Sequence, residues 1–169
     1  MGDAELRQKT CCFTGHRRLP PGCIEKIRER TARTIRELIC SEGVRYFGVG
    51  GALGFDTLAA EVLFQLREEE FPGIRVILVY PFEGFTDCWP ESQREAYRCR
   101  LSLYDKRVCV SGQAGRWTYL ARNRHLVDHS AFCIAYCVQQ RGGTVYTLDY
   151  AQRQGLSVRN IADASDRTG

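Results

Sequence analysis

Apolar residues recur along the chain in two alternating rhythms. Short, nearly continuous apolar runs at 10–14, 45–49, 74–80, 107–110, 132–136 and 156–161 predict strands. Between the first two, Ile24, Ile27, Thr31, Ile35, Leu38 and Ile39 fall three to four residues apart. That spacing predicts an amphipathic helix, with Pro21 just before its start and Gly43 just past its end. A second helix is expected over 56–70, where Leu58, Ala59, Val62, Leu63 and Leu66 share one face. Further helices are expected over 91–104, 119–129 and 144–154. The run at 74–80 is apolar on both of its faces, as a strand covered on both sides should be, and Pro81 stops it. Strands alternating with helices specify a mostly parallel, doubly wound sheet inside a Rossmann-like three-layer α/β/α sandwich. The polar tail at 162–169 is expected to fray.

Composition narrows the class without changing this picture. The chain has 169 residues, 44% of them hydrophobic and 26% charged, which fits one globular domain with its core over about 10–161. No apolar run approaches the ~20 residues of a membrane helix. The opening MGDAELRQKT lacks an apolar stretch, so a cytoplasmic protein is expected. The net charge of +4 comes from interspersed charges and does not by itself imply nucleic acid. Nine cysteines are an odd number, and no two stand in a CxxC pair. Neither a disulfide framework nor a zinc site is expected, and most of these thiols read as small core hydrophobes. His125 and His129 lie one helical turn apart without a third ligand at a suitable spacing, so no metal is expected.

In a doubly wound sheet, ligands bind beyond the carboxyl ends of the strands, so the chemistry should lie in the loops that follow them. The first such loop holds Gly15, His16 and Arg17. The second reads Gly50-Gly51-Ala52-Leu53-Gly54, with Asp56 at the helix start. A later one holds Gly142, Gly143 and Thr144. Two glycine-rich turns feeding helix N-termini suit an anion, because glycine admits close approach and the free N–H groups carry partial positive charge. Neither turn is a Walker A loop or a GxGxxG fingerprint, which disfavours ordinary kinases and dehydrogenases. Asp56 is expected mainly to cap its helix, with ribose binding as the functional alternative. In Arg122-Asn123-Arg124, arginines one residue apart cannot share a helix face. One of the two is therefore expected to face the ligand beside Asn123, and Asn123 with Arg124 is taken as the contact pair. The aromatics Trp117 and Tyr119 are candidates for stacking on a base.

Taken in order, CCFTGHR, GGALGFDTLAAE, RNR with VDHS, and GGTVYTLDYAQRQG resemble the SLOG superfamily, and most of all its YpsA-like branch. That superfamily joins the Rossmann domain of DNA-processing protein A with the LOG-type nucleotide hydrolases. The resemblance implies a bacterial, cytosolic, often dimeric protein that binds a nucleotide or nucleotide-derived ligand of the ADP-ribose, NAD or mononucleotide class. It implies no required cofactor. The implied role is that of a sensor or ligand-binding domain. Two alternatives follow from the same resemblance: a nucleoside 5′-monophosphate phosphoribohydrolase-like enzyme, and a binder of single-stranded DNA. LOG enzymes carry a glutamate three residues after a PGGxGT loop. This chain lacks the proline and offers Asp149 nearby, so its candidate catalytic carboxylates are Asp56, Glu83 and Asp149.

Overall fold

The computed structural model describes residues 1–168. Six parallel strands form one sheet: β1 (Thr10–Gly15), β2 (Tyr46–Val49), β3 (Arg75–Tyr80), β4 (Lys106–Cys109), β5 (Phe132–Tyr136) and β6 (Ser157–Asn160). Their order across the sheet is β4-β3-β2-β1-β5-β6. The chain steps outward from β1 to β4, then returns across the sheet to β5. The order therefore reverses beside β1, which pairs with β2 on one side and β5 on the other. At such a switch point the loops after the two strands diverge and leave a crevice.

The helices are α1 (Asp3–Gln8), α2 (Ile24–Glu42), α3 (Phe55–Glu69), α4 (Glu91–Arg100), α5 (Trp117–Asp128) and α6 (Gly143–Arg153). α2 packs on α3, and α5 packs on α6. Period-two alternation along β1 divides the core between the two sides. Cys11 and Phe13 join Ile27, Ile35, Leu38 and Leu63 of α2 and α3. Cys12 joins Leu126, Val127 and Ala151 of α5 and α6. α2 ends at Gly43, whose φ of +71° is the left-handed cap position that glycine takes at little cost. No helix among the described residues is long and apolar enough to cross a membrane.

The structure adds one element to those expected from the sequence and corrects three expectations. The six-residue α1 precedes the first strand, in a segment with no apolar periodicity to announce it. The helix expected over 91–104 is α-helical only to Arg100 and tightens into a 3-10 turn at Leu101–Leu103. Only Cys11, Cys12 and Cys133 are buried, and the other six thiols are partly or fully exposed. Finally, the tail is tied down rather than frayed. Asp166 accepts two hydrogen bonds from Arg30 at 3.0 Å, and Arg30 also donates to the Ile161 carbonyl at 2.6 Å. A polar segment was expected to stay in water, but a buried carboxylate with a fixed guanidinium partner holds it. Gly169, the last residue of that tail, lies outside the described residues.

Candidate functional site

A cavity of about 430 Å³ opens at the switch point. Its walls come from the β1–α2 loop (Gly15, His16, Arg17, Arg18), the β2–α3 turn (Ala52, Asp56), α5 (Tyr119, Arg122, Asn123) and the start of α6 (Gly143, Thr144). Segments far apart in sequence meet here because parallel strands deliver all of these loops to one end of the sheet.

The β1–α2 loop is held from two directions. The Val138 N–H donates to His16 Nε2 at 2.9 Å, linking the loops after β1 and β5 across the crevice. With Nε2 as acceptor, the ring proton sits on Nδ1. Burial also holds the His16 imidazole below its usual pKa, consistent with a neutral ring. On the other side the Phe55 N–H donates to the His16 carbonyl at 3.0 Å. Gly15 is in closest contact with the Phe55 ring, where a Cβ would lie 2.6 Å from Cγ, so only glycine fits.

The second glycine turn is occupied from within. The Ala52 N–H donates to Asp56 Oδ2 at 3.2 Å, and the Gly50 carbonyl accepts from Arg122. Asp56 therefore plays the anion's part in this turn with its own carboxylate. The helix itself starts at Gly54 without a side-chain cap, so Asp56 is not the N-cap that the sequence suggested. Gly50, Gly51 and Gly54 face neighbouring protein rather than the cavity. A Cβ on Gly50 would lie 2.7 Å from Asp56 Oδ2, one on Gly51 2.8 Å from Leu78, and one on Gly54 2.5 Å from the Arg17 carbonyl carbon. They permit close approach between loops, and none of the three lines the cavity.

The third turn is the open one. α6 begins after Gly142, whose φ is +114°, and no side chain caps it. Gly143 and Thr144 line the cavity, so the first N–H groups of the helix are available to an anion there.

α5 resolves the choice between its two arginines. Arg122 is 4% exposed, with its Nε donating to Asn123 Oδ1 at 2.8 Å. Arg124 turns outward, donates to the Tyr146 hydroxyl and lies over the Tyr146 and Tyr150 rings at 5.5 and 5.6 Å. Asn123 lines the cavity but is engaged within the protein, since its Nδ2 donates to Thr147 Oγ1 at 3.1 Å. It thereby orients Arg122 and joins α5 to α6. Tyr119 has the guanidinium carbons of Arg17 and Arg122 at 5.7 and 5.8 Å from its ring centre, so cations occupy the ring expected to stack on a base. Trp117, 59% exposed, retains a free surface.

Of the carboxylates singled out in the sequence, Asp56 alone lines the cavity. Burial pushes its carboxyl above the usual range, against the pull of Arg122, the Ala52 N–H and Arg17. Glu83 accepts from the Tyr80 hydroxyl, and Asp149 pairs with Arg153 on the surface of α6. Neither lines the cavity. Arg18 at the end of the first loop, Leu120 and Gln139 do, and none of the three was singled out as a ligand contact. Arg18 adjoins a motif and was legible in principle, whereas Leu120 and Gln139 carry no pattern that marks them.

Comparison with known proteins agrees with this architecture. The model of the YspA SLOG family matches residues 21–161. A UPF0398 protein of Shouchella clausii is 29% identical over 123 residues, 73% of this chain and 60% of that protein's length. The SPbeta prophage-derived protein YoqJ of Bacillus subtilis is 27% identical over 143 residues, covering 78% of this chain and 83% of YoqJ. Two DNA processing protein A structures share the fold, each with a TM-score of 0.62. The Streptococcus pneumoniae protein is 17% identical, over 90% of this chain and 50% of that one. The Helicobacter pylori protein, described for its single-stranded DNA binding mode, is 21% identical, over 93% of this chain and 67% of that one. With the family model matching most of its length, from the loop after the first strand through the last, the chain belongs to the YspA SLOG family.

Proposed function

We propose that the chain binds a nucleotide or nucleotide-derived phosphate ester at the switch point, as a ligand-binding or sensing domain. One observation carries this reading. The β1–α2 loop with Arg17, the buried Arg122 and the uncapped start of α6 converge on one cavity of about 430 Å³, the size range of small-molecule sites. Such a set matches a phosphate in charge and geometry, because guanidinium groups and helix N-terminal N–H groups both donate to anionic oxygens. The phosphate lies between Arg17 and the Gly143–Thr144 amides. The nucleoside extends toward the exposed Trp117 and Leu120.

A thermal-shift panel of AMP, ADP-ribose and NAD tests this. A ligand at 100 times its Kd stabilises the fold by ~2.7 kcal/mol. That corresponds to a rise of roughly 5–10 °C for a chain of this size. The rise disappears in Arg17→Ala. Silence from all three nucleotides in the wild type would overturn the reading.

Single-stranded DNA is a second reading, favoured by the rim of the cavity. Arg17 and Arg18 line it and are exposed, as are Arg116 and Trp117 at the start of α5 and Arg141 just before α6. Exposed arginines with an aromatic are the combination that tracks a backbone and stacks on bases. In that case an oligonucleotide binds where mononucleotides do not, with an affinity that falls steeply with salt. Hydrolysis of a nucleoside phosphate would rest on Asp56, the sole carboxylate among the described residues lining the cavity, acting as a proton donor. Base release unchanged in Asp56→Asn would exclude that role.

A further inference from the structure

A second, larger cavity lies at the opposite end of the sheet from the switch point. It has a volume of about 680 Å³ and is enclosed by α1, strands β2 to β4 and the C-terminal end of α5. Its floor is aliphatic: Ile77 and Val79 of β3, Val108 of β4 and Leu126 of α5. Gly48 on β2 lets Leu126 sit against the sheet, since a Cβ there would lie 2.8 Å from Leu126 Cδ2. No function described above uses this cavity.

Its rim is polar and unevenly satisfied. Asp105 is engaged by Arg67 and by the Val76 N–H, both at 2.8 Å, and by Arg75 at 3.6 Å. Asp128 accepts from the Tyr150 hydroxyl at 2.6 Å. Arg7 donates to the Gln154 carbonyl at 3.4 Å. The Lys106 ammonium, by contrast, has no hydrogen bond or ion pair among the described residues, although Lys106 lines the cavity from the start of β4. The imidazoles of His125 and His129 stack beside it with ring centres 4.1 Å apart. Burial, the neighbouring His129 and the Lys106 charge together hold the His125 imidazole below its ordinary pKa, against the pull of Asp128. Asp3, on the α1 side, is the one lining acid without a partner among the described residues. An unpaired ammonium and two imidazoles over an aliphatic floor form an environment that one added anion with an apolar body would complete.

We infer that this cavity is a second ligand site, for a small amphipathic carboxylate whose apolar body lies on Ile77, Val79, Val108 and Leu126 and whose head meets Lys106 and the His125–His129 pair. α5 reaches both cavities, presenting Arg122 and Asn123 to the first and His125, Leu126 and His129 to the second.

Octanoate and 1-octanol share an apolar body and differ in the charge of the head, so the pair separates the two halves of the site. Calorimetry is expected to show octanoate binding at least about tenfold more tightly than 1-octanol, since a charged hydrogen bond contributes ~1.5–3 kcal/mol. The ring signals of His125 and His129 should move in NMR spectra, while those of Tyr119 stay in place. Lys106→Gln, an exposed substitution that leaves the fold intact, should bring octanoate down to the affinity of the alcohol and leave the alcohol unchanged. Equal affinities for acid and alcohol, or undiminished octanoate binding by Lys106→Gln, would overturn the inference. So would a dimer in sedimentation that covers this face and excludes octanoate, which would make a second copy of the chain the occupant.

Discussion

Gly54 is where the β2–α3 turn touches the β1–α2 loop, which makes Gly54→Ala a direct test of how the site is held. At a φ of +80°, any side chain strains the backbone by about 1–2 kcal/mol. The new Cβ would also lie 2.5 Å from the carbonyl carbon of Arg17, and closer still to the carbonyl oxygens of His16 and Arg17. Real Cβ atoms essentially never come within 3.0 Å of such neighbours, so the loop must retreat by half an ångström or more. That retreat weakens the hydrogen bond from the Phe55 N–H to the His16 carbonyl, a loss of about 0.5–1.5 kcal/mol. The combined cost is roughly 2–3 kcal/mol. At about 2–4 °C per kcal/mol, Tm should fall by roughly 4–12 °C. Arg17 moves with its loop, so nucleotide affinity should fall about tenfold, the equivalent of one weakened charged hydrogen bond. Differential scanning calorimetry and titration calorimetry read the two effects, with Gly73→Ala as control, because a Cβ there meets nothing within 4 Å. A Gly54→Ala Tm within about 2 °C of wild type would refute the stated clash, since even ~1 kcal/mol moves it that far. A lowered Tm with undiminished affinity would refute the link between loop position and binding.

Three further outcomes follow from the same contacts. Because burial lowers the His16 pKa and Nε2 accepts from Val138, the folded state binds fewer protons there than the unfolded chain. Stability should therefore hold above about pH 6.5 and decline as pH falls from there through the folded pKa. Melts of His16→Asn should show a shallower decline than wild type over that window, and an identical decline would contradict the assignment. Asp166→Asn should lower stability by about 1–3 kcal/mol and speed amide exchange at Ile161 and Asp166, while unchanged exchange would show that the tail is held by other contacts. Although burial raises the Asp166 carboxyl, its bonds to Arg30 and Asp163 lower it by more. The support this residue gives is thus present above about pH 3.9 and lost on further acidification. Arg124→Ala should leave nucleotide affinity within about twofold of wild type, as expected of an exposed side chain outside the cavity, and a larger loss would contradict the outward placement of Arg124.

The strand–helix series was legible because its signals are local. The 3.6-residue period of α2, the punctuation at Gly43 and Pro81 and the apolar run of β3 each follow from nearby residues. The loops that build the switch-point cavity were legible for a related reason, since a parallel sheet delivers every such loop to the same end. What could not be read was the direction each group faces once the loops pack together. The turn at 50–54 looks like an anion cradle, yet Asp56 supplies its anion from within, a contact that depends on the register of α3 against β1. Arg122 and Arg124 are indistinguishable by spacing, and the bonds of Asn123 to Arg122 and Thr147 decide between them. The order of Asp166 depends on Arg30, 136 residues away, and no local pattern announces it.

The proposed function stands on a phosphate ester bound between the β1–α2 loop and the start of α6. Its most direct test is an amide NMR titration of the 15N-labelled protein with ADP-ribose. Saturable shifts are expected to cluster at Gly15, His16, Arg17, Arg18, Gly143 and Thr144, with the amides around Lys106 and His129 undisturbed. Saturable shifts confined to any other surface, or none at millimolar ligand, would contradict it.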